Sequence, residues 1–193
     1  VRASDTGLNR IEVKIYGKEE PAIIEKFLLR SYKLELIKVV SPPSPSPLQT
    51  FAKRPEAELA AGEGQQVLPY LEREDGPASR FVVVEKQPIL TGEDIRDAQA
   101  VSRTGSPADY QISFTLKPEG AMTFGAWTES NINSYLSVVL DGKVQSIAFI
   151  RTKISDMGEI SGRFSKAEAE AIALSLKSGY MPLELKVIER KTF

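Results

Sequence analysis

Apolar and polar positions change period several times along this chain. Ile11, Val13 and Ile15 alternate with Glu12, Lys14 and Tyr16, which predicts a half-buried strand ended by Gly17. Pro21 suits the first turn of a helix, where its missing N–H is not needed. Ile23, Ile24, Phe27 and Leu28 then fall on one helical face, and Leu34, Leu36 and Val39 mark a second strand. Strand, helix, strand predicts a right-handed crossover between parallel strands. "SPPSPSP" follows at 41–47, with four prolines in seven residues. Such a run cannot supply strand donors or a helix interior, so it predicts an extended, polyproline-like exit. Residues 55–61 suit a short helix ended by Gly62, and "GEGQQ" and "EREDGP" suit exposed loops.

Periodicity returns at Arg80. Phe81 to Lys86 reads as a strand, and "ILTGEDIRDAQA" (89–100) as a strand end turning into a helix. Thr91 can cap that turn and Asp94 can support the helix start. Tyr110 to Leu116 is a strand with Ile112, Phe114 and Leu116 on one face, and Pro118-Glu119 opens a helix to about Ser130. Leu136–Leu140 and Val144–Ile150 flank Asp141-Gly142, a strong hairpin signal because a type I′ turn needs positive φ twice. Ser165 and Glu168 form a capping box. Behind it Ala169, Ile172, Ala173 and Leu176 make a buried stripe, Gly179 and Pro182 end the helix, and a last strand spans about Leu183 to Arg190. Strands and helices mix without strict alternation, which predicts an α+β fold.

Composition narrows the chemistry. The 193 residues carry a formal net charge of −1, so no basic excess favours nucleic acid. With neither cysteine nor histidine, thiolate sites, disulfides and His-dependent triads are excluded. An enzyme would depend on carboxylates, Lys, Tyr or Ser, and no phosphate-binding glycine motif or GxSxG occurs. Glu93, Asp94 and Asp97 are the densest acids near a turn; they read as charges opposing a helix dipole rather than as a metal site. "EREDG" (72–76) reads as a solvated loop. Phe124 reads as core, while Met122 and Trp127 stay open between core and ligand surface. The longest apolar runs, such as Phe81–Val84, are far short of the ~20 residues of a membrane helix. "VRASDTG" does not read as a signal peptide.

Four stretches then fall in a telling order: "LTGEDIRDA", "ISFTLKPEGAMTFGAWTESNI", "LSVVLDGKVQS" and "ISGRFSKAEAEAIALSLKSGYMPLELKVIE". The succession resembles the large extracytoplasmic domain of the SecD family, membrane subunits that assist Sec protein translocation. Matching positions are Leu90, Thr91, Gly92, Asp97 and Ala98; then Gly120, Ala121, Phe124, Thr128 and Asn131; then Leu140, Asp141 and Gly142. They continue at Ile160, Gly162, Phe164, Ser165, Ala169, Gly179 and Pro182. "NRIEVKIYG" and "KLELIKVV" resemble two earlier strands of the family. The chain departs from the pattern at Tyr16, Asn133, "QSIAFI" and Met181, and the family's opening strand and helix are not present. Asn133 tolerates the left-handed backbone of the glycine it replaces.

The resemblance implies a ferredoxin-like β-α-β base portion with an inserted mixed α+β head subdomain. Residues 1–40 would form the base, 41–79 a proline-rich linker and variable region, 80–182 the head, and 183–193 a strand returning to the base. The chain crossings, and so a hinge, would lie near Ser41-Pro42-Pro43 and Tyr180-Met181-Pro182. It implies a non-enzymatic role at the periplasmic or extracytoplasmic face of the bacterial inner membrane, engaging unfolded translocating polypeptide in proton-motive-force-assisted export. Implied partners are the preprotein, SecF and the SecYEG channel, with no nucleic acid, no cofactor and no metal. Membrane anchoring and ion coupling would belong to helices outside this sequence. The alternatives are a stand-alone periplasmic adaptor with a SecD-like head and a carboxylate-dependent hydrolase. The polypeptide-binding surface has no sequence signature; the matched positions read as structural.

Overall fold

The first strands pair locally: β1 (Arg2–Asp5) and β2 (Ile11–Lys14) run antiparallel, Ala3 opposite Val13. The computed structural model describes residues 2–5, 11–14, 32–41, 47–70, 80–103 and 109–178, with only the backbone of 2–5, 11–14, 162 and 163. The chain divides into two compact units, Val1–Arg30 with Leu183–Phe193, and Ser31–Pro182. The helix expected after Pro21 and the last strand expected after Pro182 lie outside the described residues.

β3 (Leu34–Val39) belongs to the second unit, which corrects the expected boundary at residue 40. Its six residues lie antiparallel to β9 (Tyr135–Leu140), from Leu34 opposite Leu140 to Val39 opposite Tyr135. The parallel crossover read from the first forty residues therefore does not describe β3. The reason is burial on two faces: Leu34 and Leu36 are 1% and 2% exposed, Ile37 and Val39 0% and 2%. A strand that apolar on both sides needs cover on both sides. It takes cover inside the larger unit.

β3 is one stave of a closed ring. β9 turns through Asp141 and Gly142 into β10 (Lys143–Phe149), whose Val144 meets Tyr70 of β4 (Gln65–Tyr70) in parallel. β4 pairs antiparallel with β5 (Arg80–Glu85) along its whole length, and Val84 of β5 returns to Val39 of β3. Ile37, Val39, Val82, Val84, Val139 and Val144 fill the interior. The "GEGQQ" loop expected from sequence thus gives way to a strand from Gln65 onward. Pro69 in it is tolerated because β4 meets β10 at a single register pair, so few donors are needed on that side. Outside the ring, α1 (Arg54–Ala60) packs Ala57 onto Val67 and Val83.

Residues 42–46 of the proline run lie outside the described residues, and the residues at its two ends meet. Ser41 Oγ donates to Pro47 O and accepts from Gln49 N, both at 3.0 Å. The expected extended exit falls on residues outside the description, and the division into units lies at Arg30/Ser31.

A second sheet holds β7 (Ile95–Ser102), β8 (Tyr110–Leu116) and β11 (Met157–Phe164), with β8 in the middle. β7 replaces the helix expected from "EDIRDAQA". After an irregularity between Ile95 and Asp97, period 2 takes over: Ala98 and Ala100 lie opposite Phe114 and Ile112. Alanines and acids had suggested a helix; cross-strand pairing decides otherwise. β11 was not legible, because Gly158 and Gly162 interrupt its apolar pattern. Helix α2 (Pro118–Ser130) and helix α3 (Lys166–Ser178) pack with these strands and with the second face of β3 and β9. Ala169, Ile172, Ala173 and Leu176 are buried, as their spacing predicts.

Candidate functional site

The matched residues converge on three joints of the second unit. At the first, β6 (Leu90–Thr91) pairs with β3, and Gly92–Asp94 form one 3-10 turn. Asp94 Oδ2 accepts from Thr91 N at 2.8 Å, and Thr91 Oγ1 accepts from Glu93 N at 3.3 Å. Thr91 caps the turn as the sequence suggests, and Asp94 makes the cap reciprocal, on a 3-10 turn rather than on a helix. The start of α2 lies against it. Lys117 N–H donates to Asp94 O at 2.8 Å, and Lys117 Nζ to Glu93 O at 2.6 Å. A Cβ at Gly120 would stand 3.0 Å from Asp94 Cβ, so the glycine permits the close approach.

At the second joint, α2 grips an irregular segment before β11. Thr128 is fully buried; its Oγ1 donates to Phe124 O at 2.8 Å and accepts from Ile154 N at 3.0 Å. Phe124 is core, as expected, Ala121 and Trp127 are partly buried against it, and Met122 is 70% exposed. Asn131 Nδ2 donates to Trp127 O at 2.9 Å, closing the helix end. Asn133 follows with φ 66°, the left-handed residue expected there. At the third joint, Asp141 (φ 50°) and Gly142 (φ 73°) form the predicted turn. Leu140, Ile160, Phe164 and Ala169 are buried around these joints, while Ser165 Oγ and Glu168 form the capping box. Of Gly162 only the backbone, in β11, is described, and Gly179 and Pro182 lie outside the described residues.

The acids are engaged structurally. Asp97 accepts from Lys177 Nζ at 2.8 Å, and that hydrogen bond and positive charge hold its carboxyl below the ordinary carboxylate value. Asp94 is used by the turn, and Glu93 is exposed. Among the described residues, no three His, Cys, Asp or Glu side chains come together to hold a metal ion. "EREDG" lies outside the described residues. Sequence reasoning missed Lys117, Lys177 and Ser175 as contact residues: their partners are distant in the chain, and no local pattern marks them.

What the second unit offers to a macromolecule is backbone and apolar surface. β7 and β11 are the terminal strands of the three-stranded sheet. Met122, Met157, Leu174, Ile132 and Phe149 are between 38% and 70% exposed. Among the described residues, no helix is long and apolar enough to cross a membrane.

Residues 65–183 match the family model for the SecDF P1 head subdomain. The chain belongs to the SecD/SecDF family. It is 41% identical over 186 residues to protein translocase subunit SecD of Aquifex aeolicus, covering 96% of this chain and 34% of that relative. It is 33% identical over 187 residues to SecD of Koribacter versatilis, covering 95% and 33%. A solved structure of SecDF, described as a membrane component that enhances protein export, matches with TM-score 0.61 at 31% identity. That match covers all of this chain and 84% of the other. The chain spans about a third of the length of the first SecD relatives. The mixed α+β architecture thus matches that of a SecDF P1 head.

Proposed function

We propose that this chain is the extracytoplasmic domain of a SecD subunit. In this reading its head engages unfolded polypeptide during proton-motive-force-assisted export, as a non-enzymatic module on the periplasmic side of the inner membrane. The observation that carries the reading is the match to the P1 head subdomain over residues 65–183. The first unit, Val1–Arg30 with Leu183–Phe193, then corresponds to the ferredoxin-like base portion. SecF and the SecYEG channel are the partners, and ion coupling belongs to membrane helices of the whole subunit. Many sequences have to be held weakly. Backbone pairing at the terminal strands β7 and β11, and exposed methionines such as Met122 and Met157, suit that demand, since neither selects strongly for sequence.

The test is site-specific photocrosslinking in the intact membrane subunit with a stalled preprotein. Probes at Gln99, Met122, Phe149 and Met157 are expected to give adducts, and further probes sample the rest of residues 80–182. Complete absence of adducts across 80–182, in a subunit that still supports export, overturns the chain-holding role of the head.

A further inference from the structure

The second unit begins at Ser31 and ends at Pro182. Immediately inside the first boundary, two consecutive backbone amides are held by side chains from far along the chain. Tyr32 N–H donates to Ser175 Oγ at 3.0 Å, and Lys33 N–H to Asp141 Oδ1 at 2.9 Å. Asp141 N–H returns to Lys33 O at 2.9 Å. Ser175 lies in α3, the last described element before the second boundary. The apolar side agrees. A Cβ at Gly92 would stand 3.8 Å from Leu34 Cβ and 3.9 Å from Leu176 Cδ2, so strand start and helix end pack around one buried glycine. Tyr32 is 7% and Leu176 2% exposed.

We propose that Ser175 and Asp141 are positioning residues of a clamp, which holds the entering segment of the second unit to its last described helix and to the β9–β10 turn. The residue just before a strand ordinarily frays, because its donors have no ladder partner. Here both donors meet acceptors on rigid elements, a helix and a two-residue turn. Asp141 does more than turn the chain. Glycine would serve its left-handed backbone equally well; the side-chain oxygen adds the acceptor for Lys33. Tyr32 and Ser178 therefore belong to one body. Within the described residues, the start of β3 and the end of α3 are thus held together.

Two measurements on the full chain test the clamp. The first is amide hydrogen exchange in S175A/D141G, a pair that keeps the helix and tolerates the turn. Exchange at Tyr32 and Lys33 is expected to accelerate at least about tenfold, with the amides of the β9–β10 pairing unchanged. The second uses the absence of cysteine: nitroxides on K33C and K177C, both half-exposed positions, report one distance by pulsed dipolar spectroscopy. A narrow distribution is expected, broadened by S175A/D141G and restored by D141N with native Ser175. A broad distribution without the clamp substitutions, or unchanged exchange at both amides in the variant, overturns the proposal. The labelled chain with Ser175 and Asp141 intact keeps it falsifiable should the double variant fail to fold.

Discussion

A hydroxyl sealed from water has to find its partners inside the protein, and Thr128 finds them on two segments. It bridges the Phe124 carbonyl of its own helix to the Ile154 amide, 26 residues on. Valine in its place has the same shape and leaves the Ile154 N–H without its acceptor. T128V is expected to lower unfolding stability by about 1–3 kcal/mol, and T128S to keep most of it, measured by urea denaturation. Equal stability of T128V and the parent chain rules out that role. Residues such as this show where sequence reading stops. Thr128 stood among the matched positions, yet nothing local reveals that it holds an irregular segment before β11. Asn133 and Asp141 were more legible, since positive φ is a property of a residue and its neighbours. The contact of Asp141 with Lys33 is not: it spans 108 residues.

At the scale of elements, the instructive one is β7. Its sequence has the alanines and acids of a helix, and its neighbour β8 makes it a strand. Capping at Ser165 and the stripe of α3 were readable, because a helix declares its own ends and face. A strand declares itself only with a partner. The contact between β7 and α3 carries a pH signature through Asp97 and Lys177. The Asp97 carboxyl is held below its ordinary value, first by the Lys177 hydrogen bond and then by its charge. A depressed carboxylate contributes stability above its unfolded pKa and loses it as pH falls through the folded value. The contribution is therefore present from neutral pH down to about pH 4 and fades below that. K177M is expected to flatten the fall in thermal midpoint between about pH 4 and pH 2 relative to the parent, slightly, because the pair is exposed and screened. Raised salt is expected to have the same effect on the parent. An identical acid profile in K177M means the pair contributes nothing.

At the scale of the molecule, the α+β class was legible, and the sheet that β3 joins was not. The first forty residues looked like one motif because their local periodicities were clean. Which sheet each strand joins depends on pairing over a hundred residues, as with Ser137 Oγ and the Ile37 carbonyl. The surface for a translocating chain was equally illegible, since terminal strands become terminal only through topology. Long-range closure also sets a time scale. Pairings of this separation predict folding in milliseconds to seconds rather than microseconds. Stopped-flow refolding followed by Trp127, the single tryptophan, is expected to show that slow phase. Complete recovery of native fluorescence within about 100 μs contradicts it.

The closed ring has one more consequence. Leu34 to Val39 is synthesised long before Tyr135 to Leu140, which supplies its main partner. A nascent chain thus carries a strand with two apolar faces and without its main partner for roughly a hundred residues of elongation. Fragments ending before Leu140 would keep that strand sticky, and completion of β9 is the moment at which the growing polypeptide can first cover it along its whole length.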